Sequence, residues 1–325
     1  IDSLLDFSKI EAERMELEEI DLDLTHLLDE VAMLVGDGAR RKGIELFAYC
    51  EPGMITERRG DPVRLRQILL NLANNAVKFT EEGSVTIQAV PVPDATDQVA
   101  FLVVDTGIGI PEDEHERLFE PFSQLDESTT RNFGGTGLGL GIVRGLVDLQ
   151  GGTIELCSEV GVGTAFRITL PLPPSPTQRT ERGLATLVGK RALVVDGNAV
   201  NRSVLAHSLT SWGFVVDQAA TAEEALHEFA WNGSSAETYA VAVIEHRLEG
   251  MDGVRLAEVL RAQEATASTV ILLLTSAADL SRKAAHEAGV DSVLIRPVRT
   301  TYLLRRIVDA LVTHPPKATA TPAAN

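Results

Sequence analysis

Apolar residues recur every three or four positions in several stretches of the chain, which is the spacing of amphipathic helices. The clearest stretch covers residues 62–79. Its apolar face consists of Leu65, Ile68, Leu69, Leu72 and Ala76. The same spacing predicts helices at residues 1–19, 24–35 and 138–149, whereas short apolar runs predict strands at 45–50 and 101–104. A polar loop is predicted at 56–61.

The second half of the chain alternates strand-like apolar runs with helix-like segments. The runs are residues 192–195, 214–216, 240–244, 270–274 and 292–295. This alternation predicts a doubly wound five-stranded parallel sheet whose site lies at the carboxyl ends of the strands. A stretch rich in proline and polar residues predicts a linker at 173–188, and the tail, 314–325, predicts disorder or a second linker.

Composition narrows the choice of partners. The 325 residues suffice for two domains with full cores, and the formal net charge of −18 argues against nucleic acid and anionic membranes as partners. No apolar run approaches the roughly 18 residues that span a bilayer, so we expect a cytoplasmic chain. Two isolated cysteines, Cys50 and Cys157, are expected to be buried and without a chemical role.

Two glycine clusters surround the main candidate site. Asp105 ends the predicted strand at 101–104, and Gly107 and Gly109 allow the backbone to turn sharply and approach a ligand closely. A second cluster, residues 134–141, opens the predicted helix at 138–149. The N-terminus of a helix attracts phosphate through its free N–H groups and its dipole. Together the clusters predict a nucleotide pocket.

The polar face of the helix at 62–79 carries the matching chemistry. Its members are Arg64, Gln67, Asn71, Asn75 and Lys78. Asparagine is a mediocre helix former, so two on one face favour a ligand: an amide oxygen suits Mg²⁺ and a lysine suits phosphate. The alternative is a merely solvated polar face, which would more often carry Glu and Lys.

The ordered motifs identify a resemblance. The helix at 62–79, the Asp105 loop, residues 118–122 (LFEPF), the glycine run and residues 161–166 (GVGTAF) resemble the N, G1, F, G2 and G3 boxes. These boxes belong to the catalytic and ATP-binding domain of sensor histidine kinases, within the gyrase, Hsp90 and mismatch-repair ATPase group. The resemblance covers residues 21–172 and implies a two-layer α/β sandwich. Residues 1–20 resemble the end of the second helix of the dimerisation and histidine-phosphotransfer hairpin, which implies a homodimer.

The resemblance implies roles for particular residues. Asp105 would accept a hydrogen bond from the adenine amine, and Asn75 would bind the Mg²⁺ that bridges the ATP phosphates. Asn71 stands where hydrolysing relatives carry a glutamate, which favours phosphoryl transfer over hydrolysis. Residues 112–133 would form a lid, anchored by Phe119 and Phe122, although core packing also explains these two rings. The further residues implied to contact the nucleotide are Lys78, Gly107, Gly109, Ile110, Arg131, Gly135, Thr136, Gly137, Leu138, Gly139 and Thr164.

The phosphate acceptor of the family is missing from this chain. Seven histidines occur, and none lies in the family's His-Glu/Asp-x-x-x-Pro-Leu pattern. The abrupt start at Ile1 favours a fragment of a longer kinase over a chain that acts on another subunit. The implied partners are a histidine-bearing helix of the same or another chain and a downstream receiver or phosphotransfer protein.

Residues 189–313 resemble a response-regulator receiver domain, with departures at its chemical site. The carboxyl ends of the predicted strands carry Asp196, Glu245, Thr275 and Arg296. The family's paired acids are reduced to Asp196 and a glycine, Glu245 replaces the phosphorylated aspartate, and Arg296 replaces a lysine. These changes predict a pseudoreceiver that is not phosphorylated and is held in one state by a Glu245–Arg296 ion pair. Such a domain would act by docking on the kinase core or a partner, or by binding a small effector.

Overall fold

The computed structural model describes residues 8, 15–51, 53–115, 117–120, 138–176, 187–232, 238–275, 280–296 and 298–313. The chain divides into two compact units, residues 1–179 and 180–325. Most of the predicted N-terminal helix, the centre of the linker and the tail lie outside the described residues. Among the helices described, none combines the length and the apolarity that crossing a bilayer requires.

The first unit is a sheet covered on one face by helices, which confirms the predicted two-layer sandwich. The helices are α1 (Leu24–Lys42), α2 (Pro62–Phe79) and α3 (Gly139–Leu149). The strands of the main sheet are β2 (Glu45–Cys50), β4 (Ser84–Val92), β5 (Ala95–Asp105), β6 (Thr153–Glu159) and β7 (Gly163–Pro171), in the order β2-β4-β5-β7-β6. Only β2 and β4 are parallel within this sheet.

The hydrophobic core of this unit lies between the helices and the sheet. All five residues of the predicted apolar face of α2 are at most 4% exposed. In β4 the inward residues Val85, Ile87 and Ala89 are fully buried and alternate with partly exposed ones. This alternation is the pattern of a sheet with one packed face. Cys157 of β6 is exposed and Cys50 of β2 is only partly buried, so the prediction that both cysteines are buried was wrong for Cys157 and only partly met by Cys50.

Local predictions failed around a small second sheet. The predicted polar loop at 56–61 contains the strand β3 (Glu57–Gly60), which pairs antiparallel with β1 (Ile20–Asp23). Residues 173–175, predicted as linker, hydrogen-bond to β3, since Arg59 N–H donates to the Pro173 carbonyl and Ser175 N–H to the Glu57 carbonyl. Each strand has only four residues and an irregular polar pattern, so its hydrogen-bonding partner was not visible in the sequence.

The residues between the N-terminal segment and β1 are tied to the first unit. Met15 to Glu19 are not helical, although the predicted helix extended to residue 19. Met15 is buried in the core, and the Glu18 N–H donates to Asp61 Oδ2 at 3.1 Å. Asp61 also caps α2, because its other carboxylate oxygen accepts from the Val63 and Arg64 N–H groups. Tertiary contacts therefore override helical spacing here.

The second unit is a doubly wound parallel sheet, as predicted. Its strands are β8 (Arg191–Val195), β9 (Val215–Ala219), β10 (Val241–Glu245), β11 (Val270–Thr275) and β12 (Ser292–Ile295), in the order β12-β11-β10-β8-β9. The helices are α4 (Ala199–Ser211), α5 (Ala222–Asn232), α6 (Gly253–Arg261), α7 (Arg282–Glu287) and α8 (Thr300–Thr313). Two apolar clusters, one on each face of the sheet, form its core.

Candidate functional site

Asp105 lies at the end of β5 with its carboxylate held by backbone groups. It is 8% exposed, and its Oδ1 accepts the Gly107 N–H at 2.9 Å. Burial raises the pKa of this carboxyl above its ordinary value, and hydrogen bonds from the Gly107 and Thr164 N–H groups act in the opposite direction. A carboxylate placed in this way can accept a hydrogen bond from the amine of a base.

The turn after Asp105 requires glycine for steric reasons. A Cβ on Gly107 would lie 2.5 Å from the Phe79 carbonyl oxygen and 2.8 Å from Asp105 Oδ1. Gly109 has a φ of 69°, and a Cβ there would meet the Glu159 carbonyl oxygen at 2.0 Å. The backbone therefore packs closely around the carboxylate, and a side chain at either glycine would displace it.

The polar face of α2 runs from this turn towards the N-terminus of α3. At its C-terminal end the Ile108 N–H donates to the Phe79 carbonyl. Near its middle, a Cβ on Gly139 would lie 3.7 Å from Asn71 Oδ1, so Asn71 faces the first turn of α3. Asn75 is one turn from each of these contacts, because a helix advances 3.6 residues per turn. The Asp105 turn, Asn75 and the start of α3 therefore follow one another along the polar face of α2, and we call this face the groove.

Cations lie at the C-terminal end of α2. Lys78 is half-buried, its Nζ lies 4.8 Å from the centre of the Phe79 ring, and burial lowers the pKa of its ammonium group. Lys42 Nζ donates to the carbonyls of Val77, Lys78 and Thr80 at 2.6–2.9 Å. Lys42 thus satisfies carbonyl groups that the helix leaves without partners, one of them the carbonyl of Lys78.

Some predicted site residues fall elsewhere. Leu138 is 1% exposed and belongs to the core, so the structure does not place it on the surface of the groove. Phe119 packs edge-on against Phe166 at 6.4 Å between ring centres, which fits the core-packing alternative. Phe122, Arg131, Gly135, Thr136 and Gly137 lie outside the described residues.

The four predicted residues of the second unit meet at the carboxyl ends of its strands. Arg296 Nη2 lies 2.9 Å from Glu245 Oε2 and also pairs with Asp196 Oδ2. The expected Glu245–Arg296 ion pair is therefore present, together with a second one. Thr275 is buried, and its carbonyl accepts the Arg296 N–H at 2.9 Å. Burial raises the pKa of Glu245, and the Arg296 charge opposes this rise.

Comparisons with known proteins assign a domain family to each unit. Residues 60–174 match the histidine kinase-, DNA gyrase B- and HSP90-like ATPases, and residues 192–308 match the response regulator receiver domain. The virulence sensor protein BvgS of Bordetella bronchiseptica is 35% identical over 350 residues, which cover 99% of this chain and 28% of BvgS. The sensory/regulatory protein RpfC of Xanthomonas campestris is 30% identical over 358 residues, which cover 99% of this chain and 48% of RpfC.

The chain belongs to the hybrid sensor histidine kinases. The structure of full-length ShkA in complex with AMPPNP is similar, with a TM-score of 0.70 and 30% identity over 95% of this chain and 61% of that one. This hybrid kinase chain spans less than half the length of BvgS or RpfC.

Sequence reasoning missed one residue of the kinase domain. Ser158 Oγ accepts the Ile110 N–H at 2.8 Å, donates to the Gly163 carbonyl at 2.9 Å and lies 3.0 Å from Thr164 Oγ1. It joins the loop after Asp105 to the turn before β7. Ser158 is on the edge strand β6, three residues before the motif at 161–166 and outside it, so the motif did not indicate this role. Thr164, which the resemblance implied, belongs to the same network.

Proposed function

We propose that the kinase domain binds ATP with Mg²⁺ and transfers the γ-phosphoryl group to a histidine outside this chain. The observation that carries the proposal is the groove itself. A buried carboxylate lies at one end and the N-terminus of α3 at the other, with the amides of α2 between them. The eight residue steps from Asn71 to Phe79 span about 12 Å of helix, enough to separate a base from its phosphates.

The residues present fit the proposed metal. Mg²⁺ prefers oxygen ligands and is usually held by one or two protein groups together with substrate phosphates. Asn75 offers one such amide oxygen from a half-buried position on α2. When bound, Mg²⁺ neutralises charge on the phosphates. Asn71 lies beside the start of α3, and its amide has no basic site with which to activate water, which favours transfer over hydrolysis.

The proposed acceptor and partners lie outside the chain. The acceptor is a histidine on the helical hairpin to which residues 1–20 would contribute, and this hairpin would form the homodimer. The phosphoryl group would then pass to a downstream receiver or phosphotransfer protein. Because ATP is the donor, we place this part of the protein in the cytoplasm. The receiver domain would regulate by docking on the kinase core or a partner, or after binding a small effector, without being phosphorylated.

Phosphoryl transfer in trans tests the proposal. The chain is incubated with γ-labelled ATP, Mg²⁺ and a separately supplied histidine hairpin, and the label on the hairpin is measured. We expect labelling that Asn75→Ala abolishes, because it removes the proposed metal ligand. Asn74→Ala is the matched control, since Asn74 is the neighbouring amide and points to solvent. Glu245→Ala should leave the transfer chemistry intact.

The competing hypothesis is a nucleotide-sensing scaffold that acts by protein contacts. Its support is the absence of the family's histidine pattern from the sequence. The scaffold hypothesis would be favoured if the hairpin stays unlabelled while the chain still binds ATP and Asn75→Ala weakens that binding. Labelling that survives Asn75→Ala would contradict the assignment of the metal ligand.

A further inference from the structure

We propose that the guanidinium group of Arg296 replaces the divalent cation of a receiver site, so that this domain does not bind Mg²⁺. The receiver family implies a metal bound by acidic residues at the carboxyl ends of the strands. In this domain those positions hold Asp196 and Glu245, and one arginine nitrogen contacts both carboxylates. The site already contains a cation, and that cation is covalently attached.

Each oxygen of the two carboxylates already has a donor within hydrogen-bonding distance. Asp196 Oδ1 accepts the Asn198 N–H at 2.9 Å, and Glu245 Oε1 accepts the Arg247 N–H at 3.3 Å. The remaining oxygens, Asp196 Oδ2 and Glu245 Oε2, both face Arg296 Nη2. Every carboxylate oxygen therefore has a donor already, and a metal ion would have to displace the arginine.

The surroundings of the site make that displacement unfavourable. The Asp196 and Glu245 side chains are only 2% and 12% exposed, so separating them from the guanidinium would leave buried charge unpaired. A guanidinium group stays protonated at any ordinary pH, so it cannot release the acids by losing a proton. The backbone of Arg296 is anchored by its hydrogen bond to Thr275.

The two acids are also fewer ligands than the receiver family's site offers, so a metal ion would bind here too weakly to displace the arginine. Magnesium requires near-octahedral oxygen coordination. The residue after Asp196 is Gly197, which has no side-chain oxygen. In the part of the chain that the structure describes, no three His, Cys, Asp or Glu side chains form a group that could hold a metal ion.

The orientation of Arg296 indicates what holds it in place. Its Nε is buried and has no hydrogen-bond partner among the described residues, although a guanidinium offers five donors. The guanidinium group therefore forms no hydrogen bond through Nε, whereas its Nη2 contacts both carboxylates. Strands β10 and β11 separate β12 from β8 in the sheet, so the side chain links non-adjacent strand ends. The ion pairs thereby hold three strand ends in one arrangement.

Manganese binding tests the proposal, with Mn²⁺ as a paramagnetic probe for the Mg²⁺ site. Free Mn²⁺ is counted by electron paramagnetic resonance in titrations of the full 325-residue chain without nucleotide. Every variant also carries Asn75→Ala, which removes the proposed metal ligand of the kinase domain. We expect no Mn²⁺ site in the receiver domain with Arg296 present. Arg296→Met removes the charge and keeps much of the volume, and it should tighten Mn²⁺ binding by at least about tenfold.

Two controls tie the gain to this site. Adding Asp196→Asn to Arg296→Met should abolish the gained binding. Arg191→Met should gain no site, because Arg191 forms a comparable half-buried pair with Asp217 at the other end of the same sheet. A folded Arg296→Met variant that binds Mn²⁺ no better than its parent would overturn the proposal.

The chain with Arg296 intact supplies a test that does not depend on whether the variant folds. Thermal unfolding of the receiver domain should be the same in Mg²⁺ and in a chelator, because a metal that does not bind cannot stabilise the fold. A melting temperature that rises with Mg²⁺, with a rise that Asp196→Asn removes, would contradict the proposal.

Discussion

The Ile110 N–H donates a hydrogen bond to Ser158 Oγ at 2.8 Å. Because Ser158 also contacts Gly163 and Thr164, it connects the loop after Asp105 to the strand that supplies one of the backbone donors to that carboxylate. The adenine end of the proposed site is therefore held together across two strands by one hydroxyl group.

Ser158→Ala should weaken ATP binding about five- to tenfold, because a lost hydrogen bond is worth about 1 kcal/mol and the loop is no longer held in position. Titration with a fluorescent ATP analogue measures the change. Ser208→Ala is the control, since the Ser208 hydroxyl bonds to Val204 within a helix of the receiver domain. Equal affinity in the Ser158 variant and the parent chain would show that the loop holds its position without this hydroxyl.

Asp105→Asn should lower the affinity for ATP without lowering the stability of the fold at neutral pH. The pKa of Asp105 is raised from 3.8 by burial, so the folded chain binds this proton more tightly than the unfolded chain does. The contribution of this group to the free energy of unfolding therefore falls as pH rises from 3.8 through the raised pKa. Above that window the buried, ionised carboxylate destabilises the fold.

At neutral pH and without nucleotide, we expect the Asp105→Asn variant to melt no lower than the parent chain. As pH falls through that window, the melting temperature of the parent chain should rise relative to that of the variant. ATP affinity should fall by at least about tenfold, because a charged acceptor is lost. Melting curves across pH and a nucleotide titration check both expectations. A large loss of stability at neutral pH would show that the carboxylate is structural.

Gly107→Ala should destabilise the kinase domain by about 2 kcal/mol or more, because its Cβ would press on the Phe79 carbonyl and on the Asp105 carboxylate. Gly161→Ala is the matched variant. Gly161 also lies in a turn near the site, with a φ of 80°, but a Cβ there meets no atom within 4 Å. Its cost should be about 1 kcal/mol of backbone strain. Denaturant unfolding compares the two, and equal losses would argue against the steric explanation.

Lys42→Met should lower the free energy of unfolding by about 1 kcal/mol, because three carbonyls at the end of α2 lose a charged donor while the site stays open to water. The control is Lys283→Met, whose ammonium forms a solvent-exposed pair with Glu287. That change should stay within about 0.5 kcal/mol. If Lys42 also positions Lys78, its replacement should weaken ATP binding in a nucleotide titration, whereas a purely structural lysine should leave the affinity unchanged.

Periodicity along the sequence determined the larger elements. The helix at 62–79 was predicted with its buried face, and the five strands of the receiver domain were each found close to their predicted positions. These features depend on residues that are neighbours in the chain, where 3.6-residue or two-residue spacing leaves a direct record. The strand end at Asp105 and the glycines after it were likewise predicted from residues that are neighbours in the chain.

Only the tertiary structure decided the contacts between distant residues. The pairing of β1 with β3 joins short polar strands almost 40 residues apart, and Ser158 reaches Ile110 from an edge strand without a motif. Arg296 and Glu245 were predicted to pair, but the second contact, to Asp196, follows from the strand order β12-β11-β10-β8-β9. Sheet order and side-chain reach arise from packing, and a local sequence pattern does not record them.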